Sequence, residues 1–325
     1  MSKYIGIDIG GTKCAVSLAS VEAGSIEIIA KTIIKSNPSV AEKTLSQLKS
    51  ELKKLLRKNK LKESDFDAVG ISCGGIVDSE KCVLITTPVL PMWRNIDFSK
   101  VFSDKLPAFI QNDANACAIA EWIYGAGKGK KNMVFLTCGT GLGAGIILNG
   151  ALYEGAGGTA GEVGHMRIEN VGPVACGKSG SWEGLCSGYG IGELGKYRAR
   201  ELLGSGGTCG YCKDLDDIEN ISAKTLAIAA LNKDADAIEV YKKAGDYLGR
   251  GIANIIDILN PEVVVIGGVF CRSEKLLRPT MQQAINREAM PYPASLCKVV
   301  KAKLGEKVGD FAAVAVAVNG MNSKK

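Results

Sequence analysis

Two short glycine turns, each set directly behind an apolar run, constrain this chain more than any other feature. Asp8-Ile9-Gly10-Gly11-Thr12-Lys13 lies between apolar residues 4–7 and 14–18, and Cys138-Gly139-Thr140-Gly141-Leu142 repeats the device between 134–136 and 144–148. Apolar runs of this length broken by glycine read as strand, turn, strand. Two such hairpins describe two jaws for one polyphosphate. Glycine lets backbone N–H groups approach phosphate oxygens with no Cβ in the way, and Thr12 and Thr140 add hydroxyl donors. Asp8 at the mouth of the first turn is placed to hold a hydrated Mg²⁺. One glycine turn alone would more often be only a tight hairpin; the repetition is what points to phosphate.

The rest of the chain reads as a sheet with helical cover, twice over. Three strands precede Ser36, a helix over 40–58 carries Leu45, Leu48, Leu52, Leu55 and Leu56 on one face, and a strand follows at 67–72. A short strand at 109–111 runs into Asn112-Asp113, with an alanine-rich helix after it, so Asp113 falls at a helix N-terminus. Residues 150–192 are glycine-rich and irregular, a suitable place for a substrate pocket. Helices are expected at 223–231, 235–259 and 273–289, around a strand at 263–266. The pair Gly267-Gly268 after that strand reads either as a seat for adenine or ribose or as a tight strand-to-helix connection. Alanines near 312–317 imply a tail helix packed closely against the first domain.

At 325 residues, with 46% hydrophobic and 23% charged residues, the chain is long enough for two globular domains. Lys+Arg 40 against Asp+Glu 34 leaves a formal charge of +6, but the basic residues are dispersed. That pattern fits an anionic nucleotide substrate and no nucleic-acid partner. No segment approaches the roughly 18 apolar residues of a membrane span, and no membrane partner is expected. The 11 cysteines lie mostly in apolar segments, as reduced, cytoplasmic thiols do.

In this order the motifs resemble the ROK family of sugar kinases and repressors in the actin-like ATPase superfamily. They are the 8–13 turn; Gly70-Ile71-Ser72-Cys73-Gly74-Gly75-Ile76-Val77-Asp78; Thr87-Pro88-Val89-Leu90-Pro91-Met92-Trp93; Asn112-Asp113-Ala114-Asn115; the 139–143 turn; Gly161-Glu162-Val163-Gly164-His165; and Gly267-Gly268. The resemblance covers essentially the whole chain. It implies an α/β fold of two ribonuclease-H-like domains flanking an interdomain cleft. The expected first domain is 1–112, completed by a C-terminal helix at 308–325, and the second is 113–307.

What the resemblance implies for chemistry is ATP-dependent phosphorylation of a hexose, glucose by default, with N-acetylmannosamine or fructose as alternatives. Asp113 is the expected general base, taking the proton of the attacking hydroxyl. Gly75, Asn112, Glu162, His165 and, less strongly, Glu183 are expected sugar contacts. Asp8, Gly10, Gly11, Thr12, Lys13, Gly139, Thr140, Gly141, Gly267 and Gly268 are expected ATP contacts, with Mg²⁺ held through water at Asp8. A homodimer is implied as well. Two other readings compete: a sugar-binding regulator without turnover, for which the family uses a helix-turn-helix module that the seven residues before Asp8 leave no room for, and an actin-like ATPase, which would not need Asn112-Asp113 with Glu162 and His165.

One motif departs from the family. Members commonly bind structural zinc with the histidine and three cysteines of Cys-x-Cys-Gly-x-x-Gly-Cys, where this chain reads Val174-Ala175-Cys176-Gly177-Lys178-Ser179-Gly180-Ser181. His165 and Cys176 supply two of the about four ligands a closed site needs. Cys209 and Cys212 have the spacing to restore the set if their loop folds back. The expectation is a zinc-free member.

Overall fold

A computed structural model describes every residue except 23, 324 and 325, so the last two positions of the expected tail helix lie outside the described residues. The chain divides into two compact units, Met1–Lys131 with Gly145–Ala160 and Glu306–Lys325, and Asn132–Ala144 with Gly161–Gly305.

The first unit opens with strands β1 (Ser2–Ile9), β2 (Lys13–Glu22) and β3 (Ser25–Lys35), followed by helix α1 (Ala41–Lys58) and strand β4 (Ala68–Cys73). A small antiparallel sheet of β5 (Ile76–Asp78), β6 (Val83–Thr86) and β7 (Arg94–Asp97) precedes β8 (Ala108–Asn112) and helix α2 (Asp113–Tyr124). The main sheet runs β3-β2-β1-β4-β8, antiparallel among its first three strands and parallel from β1 through β4 to β8. One face of it buries Ile5, Ile7, Ile9, Val16 and Leu18 in a cluster with Leu48, Leu52 and Leu55 of α1. Three of the five leucines expected on the inner face of α1 are thus fully buried; Leu45 and Leu56 are partly so. Parallel pairing of β1, β4 and β8 brings the C-terminal ends of all three strands to one edge. Asp8, Cys73 and Asn112 lie at those ends.

The second five-stranded sheet has the order β11-β10-β9-β14-β15, from β9 (Met133–Cys138), β10 (Leu142–Leu148), β11 (Ala151–Leu152), β14 (Val263–Ile266) and β15 (Lys298–Lys301). Between β11 and β14 come the hairpin β12 (Val174–Ala175) and β13 (Lys178–Ser179) and helices α3 (Trp182–Cys186), α4 (Gly188–Gly204), α5 (Ala223–Leu231) and α6 (Ala235–Leu259). Helices α7 (Val269–Glu288) and α8 (Pro291–Leu296) separate β14 from β15. The last strong helix was expected to begin at Ser273. It begins at Val269 instead, and Ser273 (φ −117°, ψ 23°) is a kink within it.

The tail helix α9 (Val308–Ser323) returns to the first unit and covers the second face of its sheet. Small residues allow the approach: a Cβ on Gly70 of β4 would overlap the Ala313 carbonyl, and one on Gly6 of β1 would lie 3.0 Å from Val314 Cγ2. Residues 312–318 are buried there. The division also differs from the boundary expected after Asn112. Residues 113–131 and 145–160 belong with the first unit, because α2 packs on α9 and strand residue Gly145 sits against Ala114 and Ala118 of α2.

Candidate functional site

In the first turn, Gly10 N–H donates to Lys13 O at 3.1 Å and closes the β1–β2 hairpin. Neither Gly10 nor Gly11 has a left-handed φ. Space is the requirement: a Cβ at Gly10 would lie 2.8 Å from Lys13 O, and one at Gly11 would lie 2.9 Å from Val89 Cβ. The side of Gly11 expected to be open to phosphate is therefore in part filled by Val89. Ser36 braces the loop, its Oγ donating to Gly10 O at 2.6 Å and its N–H to Thr12 O at 3.1 Å. Thr12 and Lys13 are exposed, their polar groups available to a ligand.

Asn112 and Asp113 sit where β8 becomes α2. Asn112 is the N-cap, accepting the Ala114 N–H at 2.9 Å, and its Nδ2 donates to Gly75 O at 2.9 Å. The same Ala114 N–H reaches Asp113 Oδ1 at 2.9 Å. These bonds fix the carboxylate, and Oδ2 points toward Gly74, 3.4 Å from where a Cβ would stand. Asp113 is accessible to solvent yet ringed by protein, which strips water from it and raises its pKa against the lowering effect of the two backbone N–H groups. Asp8 feels Asp113 across this recess. Its pKa is raised from 3.8 to about 6, by burial first and by the charge of Asp113 second, while Ser72 and Lys31 pull the other way.

The chemistry of Asp8 fits a divalent cation. A carboxylate whose ionisation is opposed by burial and by the charge of a second carboxylate is relieved by a positive charge beside it, and oxygen donors suit Mg²⁺. The backbone alone requires glycine at position 75: its φ is +121°, and a Cβ there would lie 2.7 Å from Thr87 Cβ.

The second unit gathers its own set around the 139–141 turn. Gly139 N–H donates to Gly141 O at 3.0 Å, and the carbonyls of Gly139 and Thr140 accept the N–H groups of Gly188 (2.8 Å) and Tyr189 (3.1 Å) at the start of α4. Thr140 is exposed, and a Cβ at Gly139 would meet nothing within 4 Å, so this stretch of backbone is open to a ligand. Gly267 packs on Phe135 of β9 and donates to Leu136 O at 2.9 Å, and Gly268 lies directly against the turn. Gly268 has φ +67° and leaves no space for a Cβ beside Cys138 O and Gly139 N, as a tight strand-to-helix connection requires. Glu183 is the residue whose place sequence reasoning underrated: its Oε2 accepts the Leu142 N–H at 2.8 Å, immediately after the turn.

Glu162 and His165 flank the short helical turn Val163–His165, with His165 Nε2 3.9 Å from Glu162 Oε2 and both side chains more than half exposed. Their loop is tied to β10 by Ala144 N–H donating to Gly161 O at 2.8 Å. Cys176 donates to Glu183 Oε1 at 3.4 Å, and burial, then Glu183 and Glu162, push its pKa to about 11. Cys209 and Cys212 form a separate buried turn whose charged neighbours are Asp214 and Asp217. Among the described residues no group of three or more His, Cys, Asp or Glu is placed to hold a metal ion. No described helix is long and apolar enough to cross a membrane.

The structure thus brings Asp8, the 10–13 turn, Gly75, Asn112 and Asp113 together in one unit. It gathers the 139–141 turn, Glu162, His165, Glu183, Gly267 and Gly268 in the other. Ser36, Ser72 and the N–H groups of Gly188 and Tyr189 were not foreseen; nothing in their spacing marks them, since each acts through a strand or helix end that only the fold supplies.

Comparison with known proteins places this architecture. A ROK family transcriptional regulator, a homolog of the E. coli MLC protein, superposes with a TM-score of 0.83 at 27% identity over 97% of this chain and 77% of its own. A ROK family glucokinase from Streptomyces griseus, solved with glucose and AMPPNP, gives a TM-score of 0.74 at 29% identity over 98% of this chain and 100% of its own. A glucokinase of Halalkalibacterium halodurans is 32% identical over 311 residues, 94% of this chain and 92% of that protein. The fold is of the actin-like ATPase class. The ROK family model matches residues 4–319, and the chain belongs to the ROK family.

Proposed function

We propose that this protein is an ATP-dependent hexose kinase, that glucose is its substrate, and that Asp113 is its general base. The observation that carries the reading is Asp113 itself: accessible, fixed by Ala114 N–H beside the Asn112 cap, and raised in pKa by its surroundings. A base is most effective when its pKa approaches working pH, and an ordinary aspartate is too weak. The glucokinase of H. halodurans and the glucose complex from S. griseus support the choice of sugar.

In the proposed reaction the sugar's primary hydroxyl attacks the γ-phosphorus in line, a new P–O bond forms, the bond to ADP breaks, and Asp113 accepts the hydroxyl proton. Asn112 orients Asp113 through its cap. Glu162, His165 and Glu183 read the ring hydroxyls, while Thr12, Lys13 and the open backbone at 139–140 bind phosphate oxygens. Asp8 would hold Mg²⁺ through water, which when bound neutralises charge on the phosphates. As in the family expectation, the enzyme works as a cytoplasmic homodimer; sedimentation at two concentrations tests the dimer.

The strong likeness to a transcriptional regulator favours one second reading, a sugar-binding protein without turnover. ADP release measured against glucose, N-acetylmannosamine and fructose separates the two. Glucose-dependent release supports the kinase, release with another hexose corrects the substrate, and binding without release leaves the regulator. Asp113→Asn is expected to lower kcat by roughly 10²–10⁴-fold with sugar affinity within a few-fold; unchanged kcat removes Asp113 from the mechanism.

A further inference from the structure

Gly141 was expected to be glycine so that phosphate could reach the backbone, but another anion already stands there. A Cβ at Gly141 would lie 2.5 Å from Glu183 Oε2, the oxygen that accepts the Leu142 N–H at 2.8 Å. The other oxygen, Oε1, is held by the Cys176 thiol at 3.4 Å. On its far side Glu183 Cβ supports the loop bearing Glu162 and His165, 3.3 Å from where a Cβ on Gly164 would be. Ser181 caps α3 one residue before Trp182 and so fixes the backbone from which Glu183 projects.

Cys176 adds an independent sign that this arrangement is held in place. It occupies the first central position of the two-residue β12–β13 turn with φ +53°, followed by Gly177 at +71°. Both central residues of such a turn need positive φ, and asparagine or glycine is the favoured choice at the first. A cysteine there accepts backbone strain while aiming its thiol at Glu183.

We propose that Glu183 couples hexose binding to the ATP-phosphate turn, with Cys176 holding its carboxylate in register. This rests on the kinase reading above. One rigid carboxylate touches the backbone of the 139–142 turn and neighbours the loop of Glu162 and His165, so a sugar that orders Glu183 also orders the turn. Thermodynamic linkage then requires the effect to run both ways. A residue serving the sugar alone would leave nucleotide affinity untouched.

Two measurements on the full chain test this. In the first, amide hydrogen exchange at Leu142 is followed without ligand; Glu183→Ala is expected to accelerate it at least about tenfold and Cys176→Ala by less, with Glu183→Gln, which keeps an acceptor oxygen, near wild type. In the second, the Kd of a non-hydrolysable ATP analogue is measured with and without saturating glucose. Wild type is expected to show coupling of about 5-fold or more. Glu183→Ala and Gly141→Ala, which evicts the carboxylate by its Cβ alone, are each expected to bring that ratio near one. Unchanged exchange in Glu183→Ala, or undiminished coupling in both variants, overturns the proposal, as does a wild type without coupling. Failure of wild type to bind glucose or the analogue at all overturns the kinase reading instead, and the coupling with it. Should Glu183→Ala fail to fold, Gly141→Ala carries both measurements.

Discussion

Replacing Asp8 by asparagine should stabilise the ligand-free protein and do so only above mildly acidic pH. The carboxylate has its pKa raised from 3.8 to about 6 by burial and by Asp113. The folded state therefore binds this proton more tightly than the unfolded chain does, and between pH 4 and 6 stability falls as pH rises. Below about pH 4 both states are protonated and the handicap vanishes; above about pH 6 it is fully present. The distance from 3.8 to about 6, at about 1.36 kcal/mol per pH unit, sets an upper bound of about 3 kcal/mol. The substituted amide carries no charge, can still bond Ser72, and should recover a large part of that. Urea unfolding of wild type and Asp8→Asn at pH 4 and pH 8 reads it out: near-equal stability at pH 4, and a gain of about 1–3 kcal/mol for the variant at pH 8. Millimolar Mg²⁺ at pH 8 should raise wild-type stability and leave Asp8→Asn nearly unmoved. A variant whose advantage is the same at both pH values, or one that is less stable at pH 8, refutes the electrostatic account of the Asp8–Asp113 pair.

Three further outcomes are expected. Gly70→Ala drives a Cβ into the Ala313 carbonyl and should destabilise by about 1–3 kcal/mol or more, seen as a lower urea midpoint. Asn112→Ala removes the α2 cap and the donor to Gly75 O, for a loss of about 1–2 kcal/mol and a fall in kcat as Asp113 loses its support. Elemental analysis of freshly purified protein is expected to find zinc well below one per chain; a stoichiometric content would show that His165 and Cys176 recruit ligands from elsewhere.

Much of the first unit is legible without coordinates. Apolar runs on either side of the first glycine turn mark β1 and β2, the leucine spacing marks α1, and the strand ending in Asn112-Asp113 before alanines fixes the acid at a helix start. The alanines of the tail announce a close neighbour, though only the structure shows that glycines on β1 and β4 receive them. The short sheet of β5, β6 and β7 escaped, because strands of three or four residues among prolines are shorter than any readable period. Motif reading located these glycines but not what lies beside them: Val89 by Gly11, Thr86 and Thr87 by Gly75, and Glu183 by Gly141, all partners distant in sequence. The boundary after Asn112 failed for the same cause, since the motif ends there while the packing of α2 does not.

The return of α9 has a consequence for how the chain is born. Strands β1 to β8 leave the ribosome with one sheet face bare, and the helix that covers it is synthesised after the whole intervening unit, a delay of roughly 10 to 40 s at about 5–20 residues per second. During that interval Gly6, Gly70 and their apolar neighbours form a groove shaped for a small-residue helix and lacking one, a target for chaperones or for the tail of another nascent copy.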